Sequence, residues 1–215
     1  MRSPKSTDWR WTIMVGSKTV TDVEVIVGEV ATPAGVFGAA LTSRGLGRLI
    51  FPGESFEQCE AWVARWEPGA PRSKDRSGLL QLEEQLTGYF DGTLREFTVP
   101  LDMRGTPFQL RVWSALLEVG YGELRTYGQI ASGMASPKAV RAVGAANGAN
   151  PVPIIVPCHR IIGSSGQLIG YGGGLDMKRR LLELEGVMSA FEPTLPLFAS
   201  SARLSPLPSR QSGPA

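Results

Sequence analysis

Three prolines restrict what one stretch of this chain can become. In NPVPIIVPCHRII, Pro151, Pro153 and Pro157 punctuate the apolar residues between Val152 and Val156. Each proline lacks an amide donor, fixes its own φ and pushes the preceding residue away from helical backbone. A regular helix is therefore forbidden, and the expected form is a constrained, strand-like segment ending at Cys158. The next residue, His159, is the only histidine in the chain. Adjacent side chains point to opposite faces of a strand and diverge on a helix. Thiol and imidazole can therefore meet only through irregular backbone or a bridging water.

Two readings of the pair stand side by side. One is a buried cysteine with a histidine that happens to follow. The other is a nucleophile and its base. A free thiol has a pKa near 8.5, so a nucleophilic cysteine needs a base, a positive charge or helix-end dipoles nearby. His159 and Arg160 are the immediate candidates. Asn150, before Pro151, can tie together the turns on either side of it. Beyond the thiol, SSGQLIGYGGG is a glycine-rich loop, which reads either as a flexible connection or as backbone whose amides approach a flat ligand. LDMKRRLLELEG then reads as a closing helix that stops at Gly186. Glu185 in its last turn opposes the helix dipole, which suggests a specific partner such as a histidine that needs orienting.

Composition narrows the class. The chain has 215 residues and is 42% hydrophobic, enough for one large domain or two small ones. No apolar run approaches the roughly 20 residues of a membrane span, and the start lacks a signal-peptide pattern. Two distant cysteines fit a reducing, cytoplasmic setting, and with one histidine they are too few for a tetrahedral zinc site. Residues 1–103 carry 11 Lys/Arg against 14 Asp/Glu, while residues 104–215 carry 11 against 6. A basic C-terminal half suggests an anionic partner, nucleic acid first, although a solvated basic face would look the same.

The spacing of apolar residues places the elements. TDVEVIVGEVAT and GVFGAALTSRGLGRLIF read as strands, the second stretch as two strands joined at Ser43-Arg44-Gly45. SFEQCEAWVARWEP reads as a helix with Phe56, Cys59, Trp62, Val63 and Trp66 on its apolar stripe, which makes Cys59 plain core packing. SGLLQLEEQLTGYFDG is a second helix, capped by Ser77 and stopped by Gly92. REFTVPLDM reads as a short strand. Thr106 caps a third helix with Pro107 in its first turn, and Phe108, Val112, Trp113 and Leu116 are its core residues.

TYGQIASGMASPKAVRAVGAANG contains two short helices. Tyr127 to Met134 forms the first, and a tight joint containing Gly133 leads to a second capped by Ser136. This is a helix-turn-helix outline. The second helix is almost bare of bulk, with Arg141 as its one long side chain. Such a helix packs closely against a neighbour. Equally, it can enter a DNA groove while one long side chain wedges into the base stack. Residues 189–215 hold five prolines and six serines without period and read as a disordered tail.

NPVPIIVPCHRIIGSSGQLIGYGGGLDMKRRLLELEG, preceded by TYGQIASGMASPKAVRAVGAANGANP, resembles the 6-O-alkylguanine-DNA alkyltransferases, or methylated-DNA–protein-cysteine methyltransferases. The resemblance implies an α+β protein. An N-terminal ribonuclease H-like α/β domain over 20–103 would precede a mainly helical, winged helix-turn-helix-like domain over 104–188. An extension (1–19) and the tail (189–215) lie outside it. Cys158 would take a methyl or small alkyl group from 6-O-alkylguanine in DNA, and from 4-O-alkylthymine, in a single irreversible turnover. His159 would deprotonate the thiol through a water, with Glu185 orienting the imidazole. Asn150 would organise the active-site turn. Tyr127 would protonate the leaving guanine.

Arg141 would fill the gap left by the flipped nucleotide, with the helix in the minor groove. Gly128, Ser136, Ser164 and Gln109 would contact the DNA strand, and Tyr171, Gly172 and Pro153 would line the base pocket. Some members have serine where Gly172 stands, so here only a backbone amide could serve the guanine oxygen. No cofactor and no metal are implied: the zinc ligands of some members are missing here. The implied partner is double-stranded DNA, with no membrane and no protein partner, for a cytoplasmic monomer. Lesion binders related to this family lack the cysteine. Cysteine hydrolases draw their histidine from a distant segment, and this chain has no other.

Overall fold

A computed structural model describes residues 23–187. The expected N-terminal extension, the start of the first strand region and the Pro/Ser-rich tail lie outside the described residues. An antiparallel meander opens the described chain: β1 (Val25–Thr32), β2 (Gly35–Thr42) and β3 (Gly45–Ile50), in the order β1-β2-β3. Thr32 pairs with Gly35 and Thr42 with Gly45, so two-residue turns close both hairpins, the second at Ser43-Arg44 as expected. Gly35 and Gly45 hold φ values of 119° and 140°, open to glycine and closed to side chains with a Cβ.

Helices cover both faces of the sheet. The first, α1 (Glu57–Trp66), packs Cys59, Trp62 and Val63 against Val25, Ala40 and Ile50. A Cβ on Gly47 would lie 2.1 Å from the Trp62 ring, so β3 touches α1 backbone to ring. Phe56 departs from the expected stripe: it is the N-cap residue and is 38% exposed. The second, α2 (Ser77–Phe90), buries Leu79, Leu82, Leu86 and Tyr89 with Phe37, Ala39 and Leu41 on the other face. Ser77 is its first residue, not its cap; its amide and hydroxyl both donate to Asp75. Gly92 stops the helix as expected, at φ 72°.

REFTVPLDM does not form the expected strand. Pro100 has no amide to continue a ladder. What remains is one bridge, in which Leu46 N donates to Pro100 O and Asp102 N to Leu46 O. Beyond it, α3 (Pro107–Leu117) starts at Thr106 as expected. Thr106 and Gln109 cap each other reciprocally, and Val112, Trp113 and Leu116 are buried. Phe108 packs only partly buried against the same core.

The C-terminal half continues with β4 (Arg125–Thr126), α4 (Tyr127–Gly133), a 3₁₀ turn (Pro137–Ala139) and α5 (Val140–Gly148). A second 3₁₀ turn (Cys158–Arg160) leads into β5 (Ile161–Ile162), which pairs parallel with β4, and α6 (Gly174–Leu184) closes the chain. The joint between α4 and α5 turns at Ala135, φ 54°, rather than at Gly133. Ser136 precedes the 3₁₀ turn, but its hydroxyl donates back to Met134 O and caps nothing. Because that turn consumes three residues, Arg141 stands in the first turn of α5, not near its middle. One buried cluster runs from Val30 and Phe37 in the sheet through Trp113 and Val143 to Leu181 in α6. Trp113 Nε1 donates to Ala146 O across it.

Candidate active site

The segment before Cys158 is a knot of turns rather than a strand. Val156 N donates to Val152 O, Cys158 N to Val156 O, and Ile154 sits at φ 73°. That conformation is unfavourable for a β-branched residue, at a cost on the order of 1–3 kcal/mol. It persists because its neighbours leave no alternative. The prolines remove the competing ladder bonds, and Asn150 ties the turn from within. Asn150 Oδ1 accepts from Val152 N at 3.0 Å, and Nδ2 donates to Val156 O at 2.8 Å and to Cys158 Sγ at 3.0 Å. The edge strand of the N-terminal sheet clamps the same segment, with Leu49 N on Pro151 O at 2.9 Å.

Cys158 is 4% exposed and His159 fully buried. Burial pushes the Cys158 thiol up to about 11, against the opposing pull of the Asn150 hydrogen bond and the Lys178 ammonium. At neutral pH the sulfur is therefore protonated and needs a base. Burial also lowers the His159 pKa, with Glu185 opposing and the Arg160 and Lys178 cations assisting the fall. The imidazole is therefore neutral. Its Nε2 lies 2.8 Å from Glu185 Oε1, which assigns the proton to Nε2. Nδ1 is then a bare acceptor, buried and without a hydrogen-bond partner among the described residues. Among the described hydrogen bonds none joins the imidazole to the thiol, in keeping with the divergence of neighbouring side chains.

Glu185 is the C-cap of α6, at the unfavourable end of the helix dipole, and the donors on its carboxylate compensate. Burial alone would raise its carboxyl. Hydrogen bonds from His159 and Arg160, with the Arg160 charge, overcome that and hold it at about 2. Arg160 forks onto the carboxylate at 2.9 and 3.0 Å and donates to Val119 O. It is thus committed to Glu185 rather than to the thiol. The cation whose charge favours the thiolate is Lys178, wholly buried, with Nζ donating to Ile161 O at 2.6 Å and Ile169 O at 2.9 Å. Burial drops its pKa to about 8.

Cys158 opens onto a cleft of about 710 Å3. Seven expected site residues line it: Tyr127, Arg141, Asn150, Pro153, Cys158, Tyr171 and Gly172. His159 and Glu185 stand behind the thiol. Gly128, Ser136, Ser164 and Gln109 are not among the lining residues. Gly128 and Ser136 belong to the α4–α5 unit, Ser164 is exposed in the turn after β5, and the Gln109 carboxamide is engaged in the α3 cap. Burial, and then the nearby Cys158, raise the Tyr127 phenol, so it holds its proton and can donate.

Sequence reasoning missed several contributors. Phe51 stacks edge-on against Tyr171 at 5.4 Å, and a Cβ on Gly173 would meet its ring at 2.9 Å. Asn147 lines the cleft while 4% exposed, with Oδ1 lacking a partner among the described residues. Tyr89 donates to Glu185 Oε1 at 2.7 Å. Phe51 and Tyr89 come from the N-terminal half, where no motif marks them. For Lys178 a signal existed: it lies between apolar helix positions, one turn before Leu181 and Leu182. Among the described residues no cluster of His, Cys, Asp or Glu could hold a metal ion, and no helix is long and apolar enough to cross a membrane.

Comparison with known proteins places this geometry. The family described as "6-O-methylguanine DNA methyltransferase, DNA binding domain" matches residues 107–187. A methylated-DNA–protein-cysteine methyltransferase of Mycobacterium tuberculosis (strain ATCC 25618 / H37Rv) is 60% identical over 156 residues, 72% of this chain and 91% of that relative. The inducible one of Bacillus subtilis (strain 168) is 45% identical over 149 residues, 69% of this chain and 83% of its own length. A crystal structure of Mycobacterium tuberculosis OGT in complex with DNA is similar at 44% identity and TM-score 0.62, covering 75% of this chain and 92% of that one.

Proposed function

From the premise that this chain belongs to the methylated-DNA–protein-cysteine methyltransferases, we infer that it repairs alkylated DNA by direct transfer of the lesion's alkyl group to Cys158. The observation that carries the reading is a cleft lined by Cys158 and by Asn150, which donates to its sulfur, with the next residue, His159, held on Glu185 outside the lining. The substrate is 6-O-alkylguanine in double-stranded DNA, with 4-O-alkylthymine as a second. Residues 20–103 form the ribonuclease H-like domain of this reading, and residues 104–188 the winged helix-turn-helix domain that enters the minor groove. The protein acts as a cytoplasmic monomer without cofactor or metal.

The chemistry follows from the protonation states. Neutral His159 takes the thiol proton at Nδ1 through one water, and the Glu185 carboxylate stabilises the imidazolium that forms. The thiolate attacks the alkyl carbon in line. A carbon–sulfur bond forms as the carbon–oxygen bond breaks, and guanine leaves with the electron pair. Tyr127 donates a proton to the leaving base, and its phenolate recovers a proton through water from the His159 imidazolium, so the net transfer is one proton from thiol to guanine. Arg141 occupies the stack while the nucleotide is extruded, which offsets part of the few kcal/mol that flipping costs. Gly128, Ser136, Ser164 and Gln109 hold the DNA strand, and Tyr171, Gly172 and Pro153 shape the base pocket.

The product is a thioether, and no group at the site is placed to hydrolyse it. Each chain therefore reacts once. The test is stoichiometry: protein incubated with a tenfold excess of duplex bearing 6-O-methylguanine gains one methyl mass per chain and then stops. Continued demethylation beyond one equivalent would contradict the reading.

A further inference from the structure

The geometry points to Tyr89, on α2 of the N-terminal half, as a positioning residue for the proposed base. This rests on the transfer reaction proposed above and assigns the N-terminal half a part in it. Tyr89 is wholly buried, and its ring is fixed edge-on or tilted against Phe90, Phe97 and Tyr121 at 5.3–6.2 Å. Its hydroxyl donates to Glu185 Oε1 at 2.7 Å and lies 3.5 Å from His159 Nε2. That one oxygen also accepts from His159 at 2.8 Å and from Arg160 at 2.9 Å. The second oxygen accepts from Arg160 and from Gly122 N. The carboxylate is thus gripped from three segments of the chain besides its own helix, and among the described residues only Tyr89 reaches it from the N-terminal half.

The consequence for the base has a definite sign. Each donor on Oε1 withdraws negative charge that would otherwise favour the imidazolium. The other charged or titratable groups facing His159 are the Arg160 and Lys178 cations, the Cys158 thiol and the Tyr171 phenol, with Tyr121 packed against Tyr89. None of them donates to the shared oxygen except Arg160. Burial keeps the Tyr89 phenol protonated, so it retains the proton it donates to Glu185. Tyr89 therefore fixes the carboxylate's place and keeps the imidazole neutral, ready to accept the thiol proton.

Tyr89→Phe removes the hydroxyl and keeps the ring. The expected result is a rise in the His159 pKa and a shift of the acid limb of the transfer rate to higher pH. At neutral pH, single-turnover transfer slows by about tenfold, as for the loss of a hydrogen bond to a charged group. Because His159 is the chain's only histidine, its imidazole titration is read directly by NMR without any activity. A merely structural Tyr89 would lower the melting temperature of Tyr89→Phe and leave both the titration and the limb in place, which would overturn the inference. Tyr89→Leu, which also loses the ring, separates packing from the hydroxyl: the two variants share the titration shift and differ in stability. A wild-type protein that transfers nothing would overturn the proposed function. Normal wild-type transfer with an unmoved His159 titration in Tyr89→Phe would overturn this inference alone.

Discussion

Cys59 and Cys158 are both almost fully buried, and burial pushes both thiols up to about 11. Around Cys59 the neighbours are Val25, Ala40, Ile50, Trp62 and Val63, packed between sheet and helix. Its nearby charges work against each other, Arg48 lowering the pKa while Glu60 and Glu54 raise it. Around Cys158 the groups beside the sulfur all favour the thiolate: the Asn150 amide, the Lys178 ammonium, and the backbone of Cys158 and His159. One sulfur faces only core; the other floors a cleft. Burial alone therefore does not mark a nucleophile, and neither does the thiol's resting pKa. What marks it, in the proposed reading, is a set of donors already aimed at the charge the sulfur would carry, with a neutral imidazole on the next residue.

The comparison breaks most readily at the sulfurs themselves. Cys158→Ala abolishes transfer while binding to duplex DNA persists, because affinity comes chiefly from phosphate contacts. Cys59→Ala transfers at the wild-type rate and loses about 1–2 kcal/mol of stability from the cavity left in the core. Transfer by the first variant, or none by a folded second variant, reverses the roles of the two thiols.

A smaller effect sharpens what the cleft adds to Cys158. Arg141→Ala slows repair in duplex DNA by about one to two decades and leaves reaction with free alkylated guanine nearly unchanged, since the free base needs no extrusion. Arg141→Lys recovers only part of the loss, because an ammonium cannot stack as a guanidinium does. Equal slowing on both substrates would point to a folding defect instead.

The smallest effect tests the cation behind the sulfur. Lys178→Met keeps the length and removes the charge, and transfer falls by about tenfold, the equivalent of one unit in the thiol's pKa. The wild-type ammonium has a pKa of about 8, so its help is present below that pH and fades above it. The wild-type rate therefore bends downward as pH rises through about 8, and the Lys178→Met profile lacks that bend. Identical profiles would remove Lys178 from the site.

Much of this was legible in the sequence for local reasons. Pro107 behind Thr106, the helical rhythm of α1 and α2, and the Ser43-Arg44-Gly45 turn act through neighbours in the chain, and each formed as read except that Phe56 left the α1 stripe and Ser77 began α2 without capping it. The prolines around Cys158 correctly excluded a helix. They could not reveal the turn that replaced it, because that turn depends on Asn150 reaching forward six and eight residues. The strand expected at REFTVPLDM failed because pairing depends on a partner edge, and Pro100 offers that edge only a carbonyl. Glu185 was legible as an anomaly, since a carboxylate at a helix C-terminus needs compensation. Tyr89 and Phe51 were not, because nothing local distinguishes an aromatic residue in the core from one that supports a site some 100 residues away in sequence.

The most direct measurement is peptide-resolved mass spectrometry of the wild-type protein after reaction with duplex carrying 6-O-methylguanine. The account predicts one methyl group, carried by the peptide containing Cys158, and an unmodified Cys59 peptide. A methyl on Cys59, or repaired DNA with both cysteines unmodified, would contradict it.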